Sequence, residues 1–264
     1  MYEFKYHRPT TLAEAMEIHS SAEDGQYMAG GQTLLPALKQ RLSRPSDVID
    51  LGAIPELAYI KAEGDALVIG GATLHADVAA SEEVRAAIPA LADLAACIGD
   101  PQVRNCGTLG GAIANNDPAA DYPAAILGLG ATVITDRREI SGDDFFTDMF
   151  ETALEDGEIV TAVRFPKPVR AGYAKFPNPA SRYAIVGVLA AETANGTRIT
   201  VTGAGPCVLR ASAMEAALGK TLSSDTELPA ISPEGLNSDM HASAEYRAHL
   251  VAVMAKRAIK SAIG

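Results

Sequence analysis

The stretch that decides the fold is IGDPQVRNCGTLGGAIANNDPAADYPAAILGLGA, residues 98–131. Gly107, Gly110 and Gly111 bracket Thr108 and Leu109 in it. Glycines so placed let a backbone turn sharply and bring its N–H groups close to a ligand. Successive N–H groups in such turns make a concavity suited to phosphate oxygens. Gly110 and Gly111 are therefore expected where a side chain would block that approach or oppose a positive φ. The polar run NNDPAAD (115–121) follows, and then an apolar stretch and the strand-like ATVIT (131–135), which would anchor the loop on a rigid core. Asp117, before Pro118, reads as a turn former.

Working outward, two more glycine pairs appear, Gly30-Gly31 in YMAGGQTLLPALKQRL and Gly70-Gly71 in ALVIGGATLHADV. Each ends a β-prone run and precedes a helical pattern. The three pairs are separated by two intervals of 40 residues, but their flanks differ and no solenoid consensus links them. Thr11 and Glu14 have capping-box spacing ahead of a first helix. Further strands are expected at 158–165, 183–191 and 197–203. Between the first two of these, PKPVRAGYAKFPNPASR (166–182) reads as a Pro-rich basic linker, which places a domain boundary near Pro168. A polar loop over 221–243 precedes a last helix with Tyr246, Leu250, Val253, Met254 and Ala258 on one face. This mixture of strand and helix blocks indicates an α+β chain.

The chain has 264 residues, 48% hydrophobic and 21% charged, with a net charge of −11. That composition supports a folded core and disfavours binding to a nucleic-acid backbone or an anionic membrane. No apolar run approaches a membrane span, and MYEFKYHRPT has no secretory apolar segment, so a cytoplasmic protein is expected. Cys97, Cys106 and Cys207 are too few for a disulfide framework and are expected to be reduced and mostly buried. No Walker lysine loop and no GxGxxG are present. His7, His75 and the cysteines lack metal-ligand spacing, so neither a metal nor an iron–sulfur cluster is expected in this chain.

AGGQTLLP (29–36), VIGGATLHADV (68–78) and the 98–131 stretch together resemble the FAD-binding medium subunit of the molybdenum hydroxylases. That family includes the medium chain of aerobic carbon monoxide dehydrogenase and the flavin domain of xanthine dehydrogenase. The resemblance extends from FKYHRP (4–9) to EYRAHLVAVMAKRAI (245–259). It implies a two-subdomain FAD-binding fold of the vanillyl-alcohol oxidase/p-cresol methylhydroxylase type over 1–168. A carbon monoxide dehydrogenase flavoprotein-type α+β domain would follow over 169–264. It also implies non-covalent FAD, with Ala29, Gly30, Gly31, Gln32, Thr33 and Leu34 in a first loop. Thr108, Leu109, Gly110, Gly111 and Ala112 would form the second, and both would cradle the pyrophosphate.

In the same comparison Asp121 matches an acidic cofactor contact, and Ile98 and Val160 match apolar lining positions. Lys175 and Tyr183 fall near the isoalloxazine ring, where a lysine would raise the flavin potential. Two positions depart from the pattern: Gln32 stands where many relatives have His, and Ala112 where many have Asn. Neither change removes a backbone donor. The implied activity is electron transfer, with no catalytic side chain required. Molybdopterin and [2Fe–2S] clusters would reside in large and small partner subunits, assembled as a dimer of heterotrimers. A self-contained vanillyl-alcohol-oxidase-like enzyme and a flavin-free assembly subunit are the alternatives. Gln32 and the C-terminal match oppose the first, and the intact glycine loops oppose the second.

Overall fold

The computed structural model describes residues 1–264. Strand β1 (Lys5–His7) leads into α1 (Leu12–Ser21), whose start is fixed by Thr11: its hydroxyl accepts the Glu14 N–H at 3.2 Å. Glu14 returns the cap one residue earlier than the sequence suggests, accepting from Thr10 N–H at 2.9 Å. Strand β2 (Gly25–Met28), helix α2 (Leu34–Lys39) and strand β3 (Asp47–Asp50) complete a small parallel sheet in the order β1-β3-β2. Its residues pack a small core around Ile49, Ile54 and Leu57.

The second unit begins with the hairpin β4 (Ile60–Glu63) and β5 (Ala66–Gly70). Helices α3 (His75–Ala80), α4 (Glu82–Ala87), α5 (Pro89–Ala96), α6 (Pro101–Arg104), α7 (Leu109–Asn115) and α8 (Tyr122–Leu129) follow. Then come β6 (Thr132–Thr135), β7 (Glu139–Ser141), α9 (Gly142–Phe145), the short pair β8 (Phe146–Asp148) and β9 (Glu151–Thr152), and β10 (Val160–Pro166). The sheet is antiparallel in the order β4-β5-β10-β6-β7. All of α8 is buried, which accounts for its apolar sequence on every side.

The third unit is β11 (Arg170–Pro177), β12 (Ala184–Thr193), β13 (Gly196–Thr202), β14 (Leu209–Arg210), α10 (Ser212–Leu218) and α11 (Ala244–Ile263). Its antiparallel sheet runs β11-β12-β13-β14. The segment 166–182 is thus not a linker: eight of its residues form β11, paired along β12 from Arg170↔Glu192 to Pro177↔Ala184. Its prolines stand at the strand's end and flanks, where no ladder donor is lost. Gly172 lets the strand lie on α11, since a Cβ there would meet the Ala262 nitrogen at 2.6 Å. Residues 220–243 form no helix or strand, as read from sequence.

Alternation along β12 joins the units. Val186, Val188 and Ala190 face the core under α11, whereas Leu189 and Ala191 belong to the core of the second unit. Thr200 and Thr202 then donate to Ala124 O (2.7 Å) and Ala120 O (2.6 Å), clamping the third sheet to α8 and to the turn before it. On α11, Leu250, Met254 and Ala258 are buried, while Tyr246 is 44% exposed. The three cysteines are free; Cys97 and Cys106 are exposed rather than buried, since both fall in the irregular turns around α6.

Candidate functional site

The three glycine pairs meet. A Cβ on Gly30 would collide with the Cys106 carbonyl and stand 2.6 Å from the Gly107 Cα. Gly110 donates its N–H to Gly71 O at 2.8 Å, and a Cβ on Gly110 would lie 2.7 Å from that oxygen. Gly71 in turn lies against the Val160 carbonyl. The pairs do not form a repeat, because one follows a parallel strand, one a hairpin strand, and one opens α7. They share one floor because only glycine permits backbone to cross backbone this closely. A positive φ occurs at Gly31 (+68°) alone among them; Gly110 and Gly111 are helical, so their need for glycine is close approach and not φ.

Accounting for N–H groups separates the two loops. In the second, Leu109 donates to Thr73 O (3.1 Å), Gly110 to Gly71 O, Gly111 to Thr108 Oγ1 (3.1 Å) and Ala112 to Thr108 O (3.0 Å). These four donors are engaged within the chain and leave Thr108 as the second loop's one free N–H, so the expectation that both loops offer N–H groups is met in this geometry chiefly by the first. There the N–H groups of Gly30, Gly31, Gln32 and Thr33 have no acceptor in the chain. Gln32 itself folds back, its amide nitrogen 3.4 Å from Gly30 O.

Both loops face a cavity of about 640 Å³ between the first two units, bordered at one side by the β11–β12 turn. The size suits a large cofactor. Of the residues singled out from sequence, Ala29 to Leu34, Ile98, Thr108, Gly110, Gly111, Ala112, Asp121, Val160 and Tyr183 line it. Leu109 and Lys175 do not. Leu109 points into the core, fully buried. Lys175 lies on β11 behind Asp121, donating to Asp121 Oδ2 at 2.9 Å and to Cys97 O at 3.0 Å, with both charged side chains 4% exposed. The Tyr173 hydroxyl donates to Asp121 Oδ1 at 2.5 Å. Burial raises the Asp121 carboxyl above its ordinary value, against the pull of Lys175 and Tyr173. Asp121 precedes α8 but does not cap it. Asp117 makes the expected turn, accepting from Ala119 N–H at 2.8 Å, and also lines the cavity.

Several lining residues escaped the sequence reading. His75, 4% exposed, has no partner for Nδ1, and burial lowers it to about 4. The Tyr27 and Tyr122 hydroxyls are also buried without a partner, and burial pushes Tyr27 up to about 12. Glu158 is held at about 2, chiefly by the two-pronged bond from Arg138. Arg182 is the one Lys or Arg lining the cavity. His75 sits in the second glycine motif, where its apolar neighbours read as a packing helix; Arg182 lay in the supposed linker. Unpartnered N–H donors, orphaned ring and hydroxyl groups and apolar walls fit a large anionic cofactor carrying ring systems.

Fold and cavity together define a cofactor-binding protein, and comparison with known proteins narrows the class. Residues 2–168 match the FAD binding domain in molybdopterin dehydrogenase, and residues 171–262 the CO dehydrogenase flavoprotein C-terminal domain. The nicotine 6-hydroxylase medium subunit of Paenarthrobacter nicotinovorans is 35% identical, covering 98% of this chain and 96% of its own. The carbon monoxide dehydrogenase medium chain of Hydrogenophaga pseudoflava is 32% identical, covering 98% and 96%. The crystal structure of quinoline 2-oxidoreductase from Pseudomonas putida 86 superposes with a TM-score of 0.89 at 30% identity, covering 99% of this chain and 97% of that one. The chain belongs to the family of FAD-binding medium subunits of molybdenum hydroxylase-type dehydrogenases.

Proposed function

We propose that this chain holds FAD non-covalently in the 640 Å³ cavity and relays electrons in a larger complex. Electrons enter from [2Fe–2S] clusters of a small partner subunit and leave to an external acceptor. A molybdenum-bearing large subunit oxidises the substrate, within a cytoplasmic dimer of heterotrimers. No helix here is long and apolar enough to cross a membrane. The relatives are named for nicotine and for carbon monoxide yet align over nearly the whole chain, which supports a substrate choice made elsewhere. Residues 1–168 form the FAD-binding part and 169–264 the flavoprotein C-terminal part in this reading.

The observation that carries the proposal is the row of free N–H groups from Gly30 to Thr33 opening onto the cavity. In a chain of net charge −11, neutral dipoles are the donors suited to a diphosphate. Bound FAD supplies reversible two-electron chemistry. The protein's part is to bind, orient and tune. Thr33 and Thr108 add hydroxyls beside the N–H row, and Gly110 and Gly111 keep the floor low. Ile98 and Val160 offer apolar walls, Tyr183 an aromatic wall at the mouth, and Asp121 an acceptor at the side. Leu109 and Lys175 serve from behind, the first as core and the second by fixing Asp121.

The test is reduction of the FAD-loaded chain by a substrate of the complex, with and without the partner subunits. Bleaching of the flavin bands only when the partners are present supports the relay. Bleaching by substrate with the chain alone overturns it and favours a self-contained oxidase.

A further inference from the structure

The turn between β11 and β12, NPASRY (178–183), is held by five bonds to or from its backbone, one of them from Tyr183 N–H to Ser181 Oγ at 3.3 Å. Asn178 Oδ1 accepts from Ala180 N–H (2.9 Å) and Ser181 N–H (3.2 Å). Asn178 N–H donates to Tyr183 O (2.8 Å), and Arg182 N–H donates to Asn178 O (2.9 Å). This turn forces Arg182 to a φ of +64°, a conformation that glycine adopts freely and a long side chain does not. The sequence nevertheless has arginine there. The guanidinium crosses from the third unit to the second, Nη1 lying 3.4 Å from Gly99 O, beside the lining residue Ile98. Tyr183, next in the chain, is 47% exposed at the cavity mouth.

Charge accounting singles this residue out. Asp117, Asp121, Glu158 and Arg182 are the lining side chains with full charges, beside the buried His75. Asp121 is neutralised by Lys175, and Glu158 by Arg138. Lys175 is spent in that pair and does not reach the cavity wall. Asp117 accepts only the Ala119 N–H and has no cation beside it, and Arg182, exposed at the wall, has only a carbonyl as its partner, so Arg182 is the one cation of the lining without an ion-pair partner.

With the diphosphate on the N–H row of Gly30 to Thr33, the ring that exchanges electrons with outside partners must lie at an open end. Tyr183 gives the Arg182 end a flat aromatic wall. We infer that Arg182 is the cation that stabilises the reduced flavin, a role sequence reading gave to Lys175. Two electrons and one proton convert oxidised flavin to its anionic reduced form. The added negative charge is then met by a guanidinium held in place by the turn. Arg182 acts here as a residue that tunes the potential and takes no part in proton transfer. The inference rests on the FAD reading.

The test is a dye-coupled redox titration of the FAD-loaded full chain, with dithionite as reductant. Arg182→Gly removes the charge at a backbone position that suits glycine, and Arg182→Lys keeps the charge. A ten-fold loss of preference for the reduced flavin lowers a two-electron midpoint by about 30 mV. R182G is expected to show at least that drop, smaller at high ionic strength, and R182K to stay within half of it. If R182G does not retain FAD, R182Q carries the same test. An unchanged midpoint in the uncharged variant, or an equal drop in R182K, overturns the inference. Stoichiometric FAD in every variant separates that failure from the other: an unmodified chain that takes up no FAD overturns the cofactor reading, and this inference with it.

Discussion

Replacing Lys175 with Met removes the ammonium 2.9 Å from Asp121 Oδ2 and leaves a carboxylate that is 4% exposed. Breaking a buried ion pair by removing one partner costs about 3–5 kcal/mol. The Tyr173 hydroxyl, 2.5 Å from the other oxygen, remains, so the low end is expected, about 3 kcal/mol at pH 7. Spread over a chain of this length, that is a fall in Tm of about 6–12 °C. The sign of the pH dependence follows from linkage. Without Lys175 the folded-state pKa of Asp121 rises further above its unfolded value. The penalty is then full well above that raised pKa and fades as pH falls toward the unfolded value of about 3.9. Thermal melts of FAD-stripped protein at pH 7 and pH 5 measure this, and K175M should lose less at pH 5. Adding Asp121→Asn, which removes the stranded charge, should recover part of the loss. A K175M protein of unchanged stability, or a loss equal at both pH values and not relieved by Asp121→Asn, would refute the buried-pair account. An altered flavin potential with unchanged stability would return Lys175 to the ring.

Other substitutions probe the floor and the buried titrating groups. Gly30→Ala drives a methyl into the Cys106 carbonyl; it should weaken FAD binding at least ten-fold by fluorescence titration and destabilise by about 1–3 kcal/mol. His75 is depressed from 6.5 to about 4, so it contributes stability that is present above pH 6.5 and lost as pH falls toward 4. At 1.36 kcal/mol per unit that is about 3 kcal/mol, and His75→Leu should flatten urea-measured stability across that window. Glu158 falls from 4.5 to about 2; its contribution, less than the about 3 kcal/mol of the unscreened shift because its Arg138 partner is solvent-exposed, is lost between pH 4.5 and 2. Glu158→Gln should remove it at pH 7 and leave a flatter acid-denaturation curve.

Much of the architecture was legible where local chemistry and tertiary packing agree. Thr11 starts α1, the first two glycine pairs close their strands, and the apolar run after Asp121 is a wholly buried helix. What sequence concealed was β11. Its face toward α11 carries only Gly172, Ala174 and Phe176, the glycine letting the helix backbone come close, and its polar residues Tyr173 and Lys175 serve Asp121 from behind. A lysine among prolines reads as surface, and only the fold shows the carboxylate it meets. The same turn hid Arg182, whose left-handed backbone no motif announces. The glycine loops were legible as a site. Their division of labour was not, because whether an N–H is free depends on carbonyls such as Gly71 O and Thr73 O, distant in sequence.

The most direct measurement is the visible spectrum of the purified chain before and after addition of FAD, with the flavin released on denaturation quantified and identified by mass spectrometry. One FAD per chain, fully released, with little retained in Gly30→Ala, is the predicted result. Flavin that stays attached to the denatured chain, or a chain that takes up none on reconstitution, would contradict non-covalent binding on the Gly30–Thr33 loop.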